Sequence, residues 1–161
     1  MKKRFFLAYI SSALAASALH FAYGLCPTPL VGLVSPVRES VWEHLKLLYV
    51  PFLISAFFLK RGFRDGARFW GGMLAALLWM PAALLGVYYT LAAGFGVTAL
   101  WLDLALFYLI LAGGYAMGCR LVKNGLMARY AGILVIAAGL YGAALVLLTL
   151  APPALPIFLA A

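Results

Sequence analysis

Long apolar runs separated by short polar segments dominate the pattern of this chain. Five runs stand out, at about residues 5–24, 36–59, 69–91, 97–119 and 130–150. The hydrocarbon core of a bilayer is about 30 Å thick and takes roughly 20 helical residues to cross. The runs lack the alternation typical of strands, and lipid tolerates only helices or closed barrels. The pattern therefore predicts an all-α bundle of five transmembrane helices, forming a single integral membrane domain over residues 1–161.

The composition supports a membrane environment. Hydrophobic residues make up 67% of the 161 residues and charged residues 10%, whereas soluble domains have about 45–50% and about 25%. These proportions exclude disordered, collagen-like and disulfide-rich classes of protein. We therefore expect the lipid bilayer to be the main partner of the chain.

The basic residues predict the orientation of the bundle. Ten of the twelve lysines and arginines fall on one side of a five-crossing arrangement, in the segments 2–4, 60–68 and 120–129. Loops rich in lysine and arginine stay in the cytoplasm during insertion. The N-terminus is therefore predicted inside and the C-terminus outside, in a bacterial cytoplasmic (inner) membrane. This topology and attraction to anionic lipid explain the net charge of +8, so we expect no nucleic-acid partner.

The N-terminal segment has two interpretations. Residues 2–4, a short apolar stretch and the small residues 16–18 also fit a cleavable signal peptide. The apolar stretch continues to Tyr23, which favours an uncleaved first helix.

The two cysteines, Cys26 and Cys119, fall at opposite faces of the predicted bilayer, so we expect no disulfide between them.

The second apolar run contains most of the unusual polar residues. Only 13 residues separate Lys46 from Lys60, and as a helix they cover about 20 Å, less than the thickness of the hydrocarbon. Glu43, His44 and Lys46 must therefore enter the outer third of the bilayer. Because a charge at mid-membrane costs about 2.5–3.5 kcal/mol, these side chains are expected to face the bundle interior.

Two starting points compete for this second helix. Ser35 can cap a helix whose first residue is Pro36. Ser40 followed by Glu43 is an alternative, in the pattern of a capping box.

Polar residues on two other runs fall at the same depth. His20 lies near the outer end of the first run, and Asp103 lies about two turns inside the outer end of the fourth. The predicted pocket, open to the outside, consists of His20, Glu39, Glu43, His44, Lys46 and Asp103. The alternative is a structural network, in which Lys46 pairs with Glu43 or with Asp103.

Several chemistries fit such a pocket. Carboxylates with histidines suit a divalent metal such as zinc or manganese, with Glu43 and His44 as the primary ligands. The same groups suit binding of a cation, a proton or a small polar ligand in transport or sensing. A metal-dependent intramembrane hydrolase using these residues is an alternative. We assign no catalytic residue, and expect no cofactor other than such a metal.

Small residues indicate close helix packing. Gly114 and Gly118 form a GxxxG spacing, and Gly139 and Ala143 form a related one. Such faces pack either within a chain or between copies in a homo-oligomer. A third functional reading is therefore a non-catalytic assembly subunit with these faces as its interface.

The polar segment of the second run also carries a resemblance. Residues 36–46 read Pro-Val-Arg-Glu-Ser-Val-Trp-Glu-His-Leu-Lys. This stretch resembles the recognisable motif of a family of small multi-pass bacterial membrane proteins of unknown function, in which Asn is the more familiar residue at the position of Arg38. The rest of the chain is similar in hydropathy and helix count. The resemblance implies a site in this segment without naming its chemistry.

Overall fold

A computed structural model of the chain describes residues 1–158, and every regular element in that range is helical. Five helices are long and apolar enough to cross a membrane, as the apolar runs predict. They are α1 (Lys2–Leu25), α3 (Val41–Lys60), α4 (Gly66–Tyr89), α5 (Leu100–Asn124) and α6 (Ala131–Leu150). A short helix, α2 (Pro29–Val34), precedes α3. Residues 159–161, the end of the predicted domain, lie outside the described residues.

The second membrane helix begins at Val41, so the later of its two predicted starts is the one observed. Ser40 Oγ accepts a hydrogen bond from the Glu43 N–H at 3.3 Å. The Glu43 carboxylate binds the N–H of Val37 at 3.0 Å. Residues 36–40 are therefore a loop, and the loop follows α2, which the apolar pattern did not predict.

Other helix ends also follow local backbone chemistry. The helix α4 continues through a single π-helical turn, Thr90–Gly94, before the chain turns towards α5. The helix α5 extends to Asn124 and ends at Gly125, whose φ of 70° lies in the left-handed region. Glycine adopts this conformation at little cost, and it is the usual residue just after a helix.

Helix α4 packs against α3, α5 and α6, and α3 packs against α1. Gly114 and Gly118 of α5 face this helix, where Met80 and Met73 occupy the space that side chains at the glycines would fill. The GxxxG spacing is therefore used within the chain. Gly139 of α6 has open space around it, so the homo-oligomer remains a prediction.

The outer surface of the bundle is largely apolar. Large hydrophobic side chains are exposed on every membrane helix, including Phe6, Phe58, Trp79, Leu109 and Leu140. Contiguous apolar surface of this kind is costly in water and is the normal lipid-facing surface of a membrane protein. The exposed faces therefore indicate a lipid bilayer environment.

The basic segments lie together at one end of the bundle, which we call the basic end. There Arg68 Nε donates to the Val122 carbonyl at 2.9 Å, and the ring of Phe5 packs on that of Phe63. We call the opposite end the histidine end. It consists of the last turns of α1, α2, residues 35–40 and the start of α3.

Both cysteines are free, with Cys26 exposed and Cys119 half-buried.

Candidate functional site

A fully buried lysine organises the histidine end. Lys46 is 1% exposed, and its Nζ donates hydrogen bonds at 2.8, 2.7 and 3.3 Å to Glu43 Oε2 and to the carbonyls of Gly32 and Ser35. An ammonium group has three donors, so all of them are used. The two carbonyls belong to the last turn and the C-cap of α2. The charge therefore caps α2, at the helix end that favours a cation.

The partner carboxylate is equally engaged. Glu43 is 4% exposed, and its Oε2 accepts from both Lys46 and the Val37 N–H. Its Oε1 lies 2.7 Å from the hydroxyl of Thr149 on α6. That hydroxyl also lies 2.8 Å from the Leu145 carbonyl. Glu43 and Lys46 thus form a buried ion pair that joins α3 to α2, to the loop and to α6.

Ser35 attaches this network to α1. Its hydroxyl donates to the Leu19 carbonyl at 2.5 Å and accepts from the Tyr23 N–H at 3.2 Å. Leu19 and Tyr23 are one helical turn apart and flank His20. The loop that carries Glu39 is therefore held against the turn of α1 that carries His20.

Three side chains from separate segments meet beside this network. His20 of α1, Glu39 of the loop and His44 of α3 each place one potential ligand atom within 4.8 Å of the other two. His44 Nε2 lies 3.4 Å from Glu39 Oε2. The two imidazole rings lie 5.2 Å apart, centroid to centroid. We call these three residues the His–Glu cluster.

The backbone determines the orientation and tautomer of His44. Its Nδ1 lies 2.7 Å from the Ser40 carbonyl. A carbonyl oxygen only accepts, so Nδ1 carries the proton and the Nε2 of a neutral ring presents its lone pair to the cluster. Metal-binding histidines are commonly oriented in this way, through the second ring nitrogen.

His20 has an unused polar atom. Its Nδ1 is buried and has no hydrogen-bond partner among residues 1–158. The ring contacts Phe21 edge to face, with centroids 5.0 Å apart. Buried polar atoms are nearly always hydrogen-bonded, and His20 Nδ1 shares this unpartnered state with Trp42 Nε1 and the Tyr141 hydroxyl.

The spacing of the cluster fits a small cation. Tetrahedral zinc with bonds of about 2.0–2.1 Å to nitrogen and oxygen holds neighbouring ligand atoms about 3.3 Å apart. The 3.4 Å between His44 Nε2 and Glu39 Oε2 matches this value. No two ligand atoms of the cluster are more than 4.8 Å apart, so the zinc geometry requires an adjustment of at most about 1.5 Å. The Glu39 side chain is 71% exposed.

A comparison with known families agrees with the resemblance that residues 36–46 indicate. The model of a family of unknown function (DUF6512) matches residues 2–161. The chain belongs to this family. The resemblance drawn from the motif is thereby confirmed over nearly the whole chain. No curated protein and no solved structure matches the chain.

The remaining predicted site residues lie apart from the His–Glu cluster. Glu43 and Lys46 are in the adjacent buried network, where each charged group has its own partners. Asp103 is exposed in the first turn of α5, nearer the helix end than the two turns predicted, and within residues 1–158 it takes part in no ion pair. The structure thus brings three of the six predicted residues together at one point.

Two important residues of the buried network were not predicted as part of it. From its neighbours in sequence, Ser35 is predicted only as a helix cap. No pattern near Ser35 predicts its hydrogen bonds to α1. Thr149 lies 106 positions from Glu43. A lone threonine in an apolar run normally bonds to its own helix, as Thr149 also does with Leu145.

Proposed function

We propose that this protein binds a divalent transition-metal ion, zinc or manganese, through His20, Glu39 and His44, and that this binding serves transport or sensing of the ion. The proposal places the histidine end on the outer face of a bacterial cytoplasmic membrane. The observation that carries it is the meeting of three potential ligand atoms within 4.8 Å. They come from a membrane helix, a loop and a second membrane helix.

The donor set favours a metal over a small polar ligand. Two imidazoles and a carboxylate are the ligands of open zinc sites, in which a fourth position is left to water or substrate. Structural zinc sites are usually closed by four protein ligands. Glu39 is exposed to 71% in its side chain, so an ion can enter and leave from the aqueous side. Exchange of this kind is what transport and sensing require.

Hydrolysis is the second candidate, because two imidazoles and a carboxylate with an open position are also the ligand set of zinc hydrolases. A metal ion lowers the pKa of its bound water by itself, and a positioned general base adds to the rate. Glu43, the sequence neighbour of His44, is bound to Lys46 and to the Val37 N–H. Ser40 Oγ caps α3 through the Glu43 N–H. Neither side chain is free to act on a substrate at the cluster.

Metal titration of the purified protein in detergent tests the proposal. We expect one Zn²⁺ per chain, and a tenfold or greater loss of affinity in each of the variants His20→Ala, Glu39→Gln and His44→Ala. Asp103→Asn, which removes an exposed acid outside the cluster, is the matched control. Equal affinity in wild-type protein and the His44→Ala variant would contradict the proposal.

Vesicles distinguish transport from sensing. Purified protein reconstituted into liposomes that contain a zinc-sensitive dye should admit Zn²⁺ if the protein is a transporter, and the His44→Ala variant should not. Zinc binding that raises the thermal midpoint without any flux would favour sensing. Zinc-dependent cleavage of added peptide or lipid would favour the hydrolase instead.

A further inference from the structure

The basic end of the bundle, opposite the His–Glu cluster, is the second region of interest. A cavity of about 620 Å³ opens there between α1 and the end of α3. The residues that line it and matter here are Arg4, Leu7, Ser11, Ser55, Phe58 and Arg61. None of them belongs to the His–Glu cluster, so the cavity is separate from the proposed metal site.

Two arginines at this cavity lack a carboxylate partner. Within residues 1–158, neither Arg4 nor Arg61 forms an ion pair. Asp65 is the acid of this end, and it accepts the Arg68 N–H at 3.0 Å as the cap of α4. The cavity therefore has a net charge of +2 that nothing in the described chain neutralises.

Both arginines are exposed, and each guanidinium group has one close neighbour at the cavity. Arg61 lies over the Phe58 ring, with its Cζ 5.2 Å from the ring centroid. The Arg4 guanidinium lies so close to Gly62 that any side chain at position 62 would collide with it. The two groups thus border one cavity although they come from different helices.

Below the arginines the cavity suits hydrocarbon. Leu7 and Phe58 are 57% and 62% exposed and form apolar walls. The hydroxyls at this depth are already used, since Ser11 donates to the Ala8 carbonyl at 2.9 Å and Ser55 to the Phe52 carbonyl at 2.9 Å. A polar solute would find no free donor there, whereas an acyl chain needs none.

We propose that this cavity binds an anionic phospholipid. The phosphate lies between Arg4 and Arg61, and one acyl chain runs along Leu7 and Phe58. Guanidinium groups bind phosphate oxygens through paired hydrogen bonds. The arginines lie near the start of α1 and just after α3, so they sit at the level of lipid headgroups, and the apolar walls extend towards the bilayer centre.

Native mass spectrometry of the full-length protein tests this site. The protein is exchanged into detergent with phosphatidylglycerol or phosphatidylcholine as the added lipid, and bound lipid is counted per chain. We expect one tightly held phosphatidylglycerol, and an affinity for it about fivefold lower in Arg4→Gln and in Arg61→Gln, since each basic group near a membrane surface contributes a factor of this size. Phosphatidylcholine has the same phosphate beside a cationic choline, so it should bind more weakly than phosphatidylglycerol and its affinity should fall less in the two variants.

Arg120→Gln is the matched control, because Arg120 is an exposed arginine of the same end that does not line the cavity. An equal loss in this variant would show general attraction to the basic end and overturn the proposal. Displacement of the lipid by millimolar glycerol phosphate would overturn it too, because the site would then select a soluble phosphate. An unchanged far-ultraviolet circular dichroism spectrum and an unchanged thermal midpoint establish that each variant is folded.

Discussion

Removal of the Lys46 ammonium tests the account of the buried network most directly. The substitution Lys46→Met keeps the length and apolar stem of the side chain but removes its charge. Glu43, which is 4% exposed, then loses its counter-charge. The carbonyls of Gly32 and Ser35 lose the donor that caps α2. The variant therefore weakens the loop that carries Glu39 as well as the ion pair.

The magnitude follows from the bonds that are lost. Removal of one partner of a buried ion pair costs about 3–5 kcal/mol, because the other charge is left without compensation. Glu43 keeps the Val37 N–H and the Thr149 hydroxyl, so we expect a value near the lower end, about 3 kcal/mol. The double variant Glu43→Gln/Lys46→Met should lose less than the sum of the single variants, since no uncompensated charge remains.

Equilibrium unfolding in mixed micelles of dodecyl maltoside and sodium dodecyl sulfate, followed by circular dichroism, measures these free energies. The control is Lys60→Met, the same chemical change at a lysine of the basic end that donates to the Phe63 carbonyl. We expect it to cost below about 1 kcal/mol, because a group near water is readily resolvated. The reasoning is refuted if Lys46→Met costs no more than Lys60→Met.

Other parts of the structure lead to three further predictions. Gly114→Leu should destabilise the bundle by about 2 kcal/mol or more, because the leucine collides with Met80. Gly139→Leu, in open space, should leave the thermal midpoint of the monomer unchanged, and a change in its oligomeric state would identify α6 as a subunit interface. In intact cells a membrane-impermeant maleimide should label the exposed Cys26 and not Cys119, and the reverse result would contradict the predicted orientation. Zinc affinity should fall with decreasing pH, because protons compete with the metal for the imidazole nitrogens; a pH-independent affinity would exclude histidine ligation.

The sequence alone determined the number and type of the membrane helices. Hydropathy can be read segment by segment, because each membrane helix must satisfy its own backbone hydrogen bonds and match the bilayer thickness by itself. The sequence also predicted the relative height of the two histidines. His20 follows Arg4 by 16 positions and His44 precedes Lys60 by 16, about 24 Å of helix in each case. Antiparallel helices with these spacings place the two histidines at the same height.

The start of α3 was undecided in the sequence because Ser35 and Ser40 are equally good caps by local rules. Tertiary contacts settled it. Ser35 binds the backbone of α1, and its carbonyl accepts from Lys46. These bonds hold residues 36–40 in a loop and leave Ser40 to cap the helix.

Only the tertiary structure decided which polar groups meet. Counting residues gives height along a helix, but the lateral position of a side chain depends on which helix faces pack together. Because α1 packs against α3, His20 reaches His44, and the loop brings Glu39 to both. Asp103 lies on an exposed part of α5, and Glu43 turns towards Lys46 and Thr149. The six polar residues, which the sequence places at similar depth, thus separate into a three-residue cluster, a buried ion pair and an exposed acid. Hydropathy determines how deep a residue lies along its helix, whereas the packing of the helices determines which neighbour its side chain faces.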